Sequence, residues 1–370
     1  MGEGGARHAR KDAAAGALPE NLTLANASKS VRVLYASTNG IDGKTPIAVS
    51  GAVYLPKGEV PSKGWPLIAW AHGTTGIADV CAPSWAARSQ RDTDYLNAWL
   101  ANGFAIAGTD YQGLGTPGGH PWEVVRPEAW SALDSARAAL SAFPELSNSV
   151  VIVGQSQGAH AALSAGMLAG KYAPDIKLKG TVATGVPWFP ELPPPVKASY
   201  IPVPPLGSAA ALVFVLRLFE LRVVSPDFRP GDYLSDAAKT AFEAARTGCN
   251  QAITSSLTQN QVTAGNVYKK DPAPEILKIA PAQQYPFPKF AQPVFIGAGL
   301  ADVTVWPEAG YDFAVAACAT GSVVQMHYYP GQDHSGTVNA SLVDSVPFVK
   351  KLLAGEKIEN GCGGFKPPPP

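Results

Sequence analysis

Short runs of β-branched and aliphatic residues alternate along the chain with longer stretches in which small and apolar residues recur at helical spacing. The runs at residues 31–36, 46–54, 67–71, 104–108, 150–153, 181–184, 294–296 and 323–329 predict strands. The stretches at 128–142 and 156–169 predict helices with one face suited to a sheet, the first starting just after Pro127, which fits a first helical turn. Strand and helix in alternation define the α/β class, with a mostly parallel central sheet and flanking helices. The first two strands are close in sequence and are expected to pair antiparallel at an edge.

One block breaks this rhythm. Residues 187–205 contain eight prolines, which fit neither a central strand nor a helix interior. A helix that is apolar nearly all round follows at 209–222, and polar helical sequence runs on to about 278. The expected organisation is a core in two parts, 19–186 and 289–362, with 187–288 inserted as a helical cap over the sheet's carboxyl edge. A helical excursion packed elsewhere is the alternative. The tails, 1–18 and 363–370, read as unstructured.

Composition narrows the function. Lys plus Arg and Asp plus Glu are 29 each, so the net charge is zero, and only 16% of residues are charged against about 25% usually. Nucleic-acid binding needs a cationic excess, so nucleic acid is not an expected partner. The longest apolar run, 209–216, stops at Arg217, well short of the roughly 20 residues of a membrane span. Cys81, Cys249, Cys318 and Cys362 stand at no metal-ligand spacing, and their even count fits two disulfides better than a zinc site. That favours a secreted or periplasmic protein, although residues 1–18 lack the apolar core of a signal peptide. A cytoplasmic protein with four buried thiols is the competing reading.

The sharpest local signal is Gly154-Gln155-Ser156-Gln157-Gly158, preceded by an apolar β run and followed by a small-residue helix. A G-x-S-x-G turn in that setting holds a serine exposed between strand and helix, with glycines where a Cβ would collide. Ser156 is the candidate nucleophile. The elbow calls for an acid and then a histidine downstream. His160 lies one turn along the nucleophile helix and reads as a packing or supporting residue, and His327 lies inside a strand. His334, in a glycine-containing loop after the last strand, is the candidate base. Asp302, in the glycine turn after the penultimate strand, is the candidate acid, ahead of Asp333, which reads as a turn former. The backbone N–H groups of Gln157 and Thr74 are the expected oxyanion donors, with Gly73 second to Thr74. His72 precedes the serine and is not expected to be the base.

With these pieces placed, the chain resembles the secretory lipase family of α/β-hydrolases over about residues 30–362. The likeness rests on several linked motifs: Ala71-His72-Gly73-Thr74-Thr75-Gly76 running on to Cys81-Ala82-Pro83-Ser84; Gly108-Thr109-Asp110-Tyr111-Gln112-Gly113-Leu114-Gly115; Gly154 to Gly158; Ala301-Asp302; and Asp333-His334. It implies an α/β-hydrolase fold with a helical cap, and a lipase or carboxylesterase acting on small-molecule or lipid esters without a cofactor. It also implies that Cys81 joins Cys249 and Cys318 joins Cys362. Amidase, peptidase or acyltransferase chemistry on the same residues is the alternative within enzymes; a fold kept only for binding is the alternative outside them. Trp188, Phe189, Phe214 and Phe219 are candidates to line an acyl tunnel, or else to fill the core of the cap.

Overall fold

The structure, a computed structural model, describes residues 14–189, 208–285 and 288–369. Most of the proline-rich block, from Pro190 on, and the tail up to residue 13 lie outside the described residues. In chain order the strands and helices are β1 (Ala14–Ala17), β2 (Ala27–Thr38), β3 (Pro46–Pro56), β4 (Trp65–Ala71), α1 (Gln90–Ala101), β5 (Ala105–Thr109), α2 (Val125–Ala142), β6 (Leu146–Gln155), α3 (Gln157–Tyr172) and β7 (Leu178–Thr184). Then come α4 (Ser208–Val224), α5 (Asp236–Thr247), α6 (Asn250–Gln259), α7 (Ala273–Gln283), β8 (Val294–Gly299), α8 (Pro307–Ala319), β9 (Val324–Tyr329), α9 (Gly336–Ala340) and α10 (Leu342–Ala354).

The nine strands among the described residues form one sheet in the order β1-β2-β3-β5-β4-β6-β7-β8-β9. Pairing is antiparallel from β1 to β5 and parallel from there to β9. Alternation within the strands sorts the core onto two faces. Leu67, Ala69, Val150 and Ile152 pack with Ala129 and Ala136 of α2 and Ala162 of α3. Ile68, Trp70, Val151 and Val153 pack on the other face with Trp99 of α1 and Phe348 of α10. Because both faces are covered, the central strands read as continuous apolar runs.

The strands extend past the runs that betray them, since ladder hydrogen bonds continue where side chains turn polar. β1 pairs residue by residue with β2, Ala14 opposite Leu34 and Ala17 opposite Val31, where an unstructured tail is expected from the sequence. Its Ala-Ala-Gly-Ala sequence has no alternation to reveal it. The sheet's edge is therefore β1 and not β2. At the other end, Tyr328 Oη donates to the Lys366 carbonyl at 2.9 Å and Phe365 packs on the cluster around Phe313, so the last residues are also tied down. α2 begins at Val125, which puts Pro127 inside its first turn.

Between β7 and β8 the described chain carries α4 to α7. These helices hold their own apolar cluster, with Leu216, Leu218, Phe242, Ile253 and Leu257 at its centre and Trp122 of the core reaching in. Phe214 stacks on Tyr268 and Phe219 on Phe242, so both rings fill this cluster. Trp188 stacks instead on Tyr285 and meets Phe313 edge-on. Cys81 is bonded to Cys249, joining the loop after β4 to α6, and Cys318 to Cys362, joining α8 to the carboxyl end. No helix among the described residues is long and apolar enough to cross a membrane.

Candidate active site

β4 lies between β5 on one side and β6 on the other, so the chain reverses its direction of travel between β4 and β6. Ligand crevices in such sheets open at this point, outside the strands' carboxyl ends. Ser156 stands there, between β6 and α3, at φ 58° and ψ −123°. For a non-glycine residue this backbone costs roughly 1–3 kcal/mol and persists only where its surroundings enforce it. The enforcement is visible. A Cβ on Gly154 would sit 1.8 Å from the Gly158 carbonyl oxygen, and one on Gly158 would sit 1.9 Å from the Ala71 oxygen. The Ser156 N–H donates to the Thr184 carbonyl at 2.9 Å, stitching the turn to β7.

Asp302 follows β8 and His334 follows β9. His334 Nδ1 lies 2.7 Å from Asp302 Oδ2. The other carboxylate oxygen accepts the backbone N–H groups of Thr304 and Val305 at 2.8 and 2.9 Å. Asp302 is buried, and the His334 ring is 16% exposed. The pair hangs over the end of β7, because a Cβ on Gly185 would lie 2.8 Å from His334 Cε1. Ser156 is at the same rim, yet among the described residues its hydroxyl donates no hydrogen bond to His334. The ring's outer nitrogen, Nε2, instead faces the side-chain nitrogen of Gln155 at 3.0 Å.

The remaining sequence candidates divide clearly. Thr74 lies in the loop after β4, its hydroxyl accepting from Trp122 Nε1 at 3.0 Å and its carbonyl from Asn250 Nδ2 at 2.7 Å. Asp333 caps the turn into α9 by accepting the Gly336 N–H at 2.7 Å. His327 is in β9, and Asp110 is buried, accepting from Ser50 and Ser84. His72 is buried with Nδ1 on the Gly73 carbonyl, and burial holds its pKa below the ordinary value.

Beneath Gln157 lies a buried polar chain that sequence reasoning missed. Gln157 Nε2 donates to Glu128 Oε1 and to His120 Nε2, both at 2.8 Å. His120 Nδ1 is 3.0 Å from the Gln112 carbonyl, so that nitrogen carries the proton and the ring is neutral, in line with a pKa lowered by burial. His160 differs. Its Nδ1 is 2.8 Å from Glu128 Oε2 and its Nε2 is 2.9 Å from the Gln283 carbonyl. Both nitrogens face acceptors, so both must be donors, and the ring is an imidazolium. Burial opposes that charge, but the bond and charge of Glu128 outweigh it and raise the pKa above 6.5. The one signal in sequence was a carboxylate, Glu128, in the first turn of α2.

A second buried group adjoins it. Arg217 of α4 pairs with Glu123 and Glu220 and lies 4.8 Å from the Trp122 ring. Burial pushes Glu220 up to about 7.

Glu128→Gln is expected to lower the unfolding free energy by about 3–5 kcal/mol, since it leaves a buried cation without its partner. Urea denaturation at pH 6 measures it, and an unchanged midpoint would refute the ion pair. The pH dependence has a definite sign. A histidine whose folded pKa is raised stabilises fully below its unfolded value near 6.5 and less as pH climbs through the folded value. Glu220, protonated more readily when folded, acts in the same direction between 4.5 and about 7.

A mostly parallel sheet flanked by helices, with a strained serine turn at its carboxyl rim, is the architecture of an α/β-hydrolase. Residues 82–284 match the secretory lipase family, and the chain belongs to it. Among relatives, a Mycobacterium tuberculosis (strain CDC 1551 / Oshkosh) protein named as a probable inactive lipase is 27% identical over 179 residues, 45% of this chain and 37% of its own. Lipase 7 of Candida albicans is 31% identical over 111 residues, 27% of this chain and 25% of its own. The chain thus spans well under half the length of these relatives. Among solved structures, Candida antarctica lipase A in its closed state superposes with a TM-score of 0.73 at 21% identity, covering 96% of this chain and 84% of that one. The rice cell wall degrading esterase from Xanthomonas oryzae gives 0.67 at 17%, covering 89% and 92%. At such identities the likeness establishes the fold.

Proposed function

We propose that the chain is a serine hydrolase of carboxylic esters, working through an acyl-enzyme. The observation that carries this reading is the Asp302–His334 hydrogen bond at the rim where Ser156 is held in its strained turn. Family membership supports ester substrates, and the two disulfides support an exported protein.

In the reaction His334 Nε2 takes the Ser156 proton as the oxygen attacks the acyl carbon. Asp302, bonded at Nδ1, fixes the tautomer and stabilises the ring once it is charged. The oxyanion is held by the first N–H of α3, at Gln157, which has no partner within the helix, and by the Thr74 N–H. Thr74 is held at two atoms, its hydroxyl accepting from Trp122 and its carbonyl from Asn250. His334 then protonates the leaving alcohol, and water repeats the cycle on the acyl group. Residues 187–288 serve as a cap: Asn250 and Cys249 grip the loop after β4, and Gln283 closes on His160.

A fluorophosphonate probe is expected to add one phosphonyl group per chain, found by peptide mass on Ser156 and lost in His334→Ala. No label at Ser156 would favour the fold being kept for binding, a reading to which the Gln155 contact with Nε2 and the inactive-lipase relative give some weight.

A further inference from the structure

Gln155 is the last residue of β6, buried, and adjacent in sequence to the serine. Its side-chain nitrogen is 3.0 Å from His334 Nε2 and 3.5 Å from the His334 carbonyl. Its side-chain oxygen points the other way, to the loop after β4: a Cβ on Gly73 would lie 2.4 Å from it. The amide therefore spans from the loop that carries Thr74 to the base, and glycine at position 73 leaves it room.

Hydrogen-bond polarity fixes what this contact means. An amide NH2 can only donate, so the nitrogen opposite it must present a lone pair. With Nε2 an acceptor, the ring's proton is on Nδ1, facing Asp302 at 2.7 Å. The ring is thus held neutral, in the tautomer a general base requires, by a donor on one side and an acceptor on the other.

We propose that Gln155 is a positioning residue for His334, donating to Nε2 in the resting site and yielding that lone pair to the Ser156 hydroxyl when substrate enters. The proposal rests on the hydrolase reading above. The exchange makes and breaks hydrogen bonds only: the Gln155 N–H···Nε2 bond gives way to Ser156 O–H···Nε2, and no proton moves until attack.

The test uses two variants of nearly unchanged shape, Gln155→Glu and Gln155→Met. The first replaces a donor with an acceptor of the same size, so its carboxylate holds a proton on Nε2 and occupies the base. Turnover of p-nitrophenyl butyrate is expected to show kcat lowered on the order of a hundred-fold, the scale of general-base assistance, with KM little changed. A residue that only filled space would tolerate this exchange. Nitrogen NMR of the imidazole, with His334 identified by its loss in His334→Asn, reads the contact without relying on activity. The wild type should show a hydrogen-bonded, unprotonated ε nitrogen, and Gln155→Met should shift it toward a free lone pair while the Nδ1 proton stays. Wild-type kcat in Gln155→Glu, a protonated ε nitrogen in the wild type, or an unshifted one in Gln155→Met overturns the proposal. A wild-type protein that takes up no fluorophosphonate defeats the hydrolase reading instead, and the spectra still decide on Gln155.

Discussion

Ser156→Ala should lower kcat for p-nitrophenyl butyrate by about a million-fold, the scale seen when a triad nucleophile is removed. The elbow offers one hydroxyl, at a backbone conformation that glycine contacts on both flanks enforce. Alanine carries the same Cβ, so the turn and the Thr184 bond to residue 156 are retained and the fold is expected to be unaffected. Stopped-assay measurement over long incubation sets the floor. Activity within about ten-fold of the wild type would remove Ser156 from the mechanism altogether.

Asp302→Asn is expected to cost about ten-thousand-fold in kcat, as the equivalent exchange does in a Ser-His-Asp protease. The reason lies in how the carboxylate is shared. One oxygen takes two backbone N–H groups, from Thr304 and Val305, and only the other faces His334 Nδ1. An asparagine satisfies the backbone donors with its carbonyl and so turns its NH2 toward Nδ1. The imidazole must then offer a lone pair there and carry its proton on Nε2, the nitrogen meant to receive one. The variant should still fold, and it should label with fluorophosphonate far more slowly than the wild type. A kcat within about ten-fold of the wild type would mean that Asp302 does not set the tautomer.

The parts of this architecture legible in sequence are those specified locally. Leu67 to Ala71 and Val150 to Val153 announce themselves because strands buried on both faces must be apolar throughout. The turn at Ser156 is legible because its two close contacts admit glycine alone. Asp302 and His334 could be singled out as partners because chain order and strand ends limit the choice, and the structure brings the two side chains within 2.7 Å. Disulfide pairing was not local information: four cysteines allow three connectivities, and family likeness supplied the choice. Glu128 and His160 escaped because their meeting depends on how α2 packs against α3. Gln155 escaped because an amide beside a serine says nothing until the loop after β9 arrives over it. β1 escaped because alanine and glycine carry no strand signature, and only the ladder to β2 reveals it.

The bridge from Cys81 to Cys249 gives the helical layer α4 to α7 a covalent anchor on the loop after β4. It sits against Gly76, where a Cβ would come within 2.7 Å of Cys81 Sγ, and the next residue of the helix, Asn250, grasps Thr74 and Thr75. On the proposed reading of this layer as a cap, a movement of its helices leaves the corner at Thr74 and Thr75 least displaced. If substrate enters past the helical layer, the rivet keeps the Thr74 corner in register while the way in is made elsewhere along its edge.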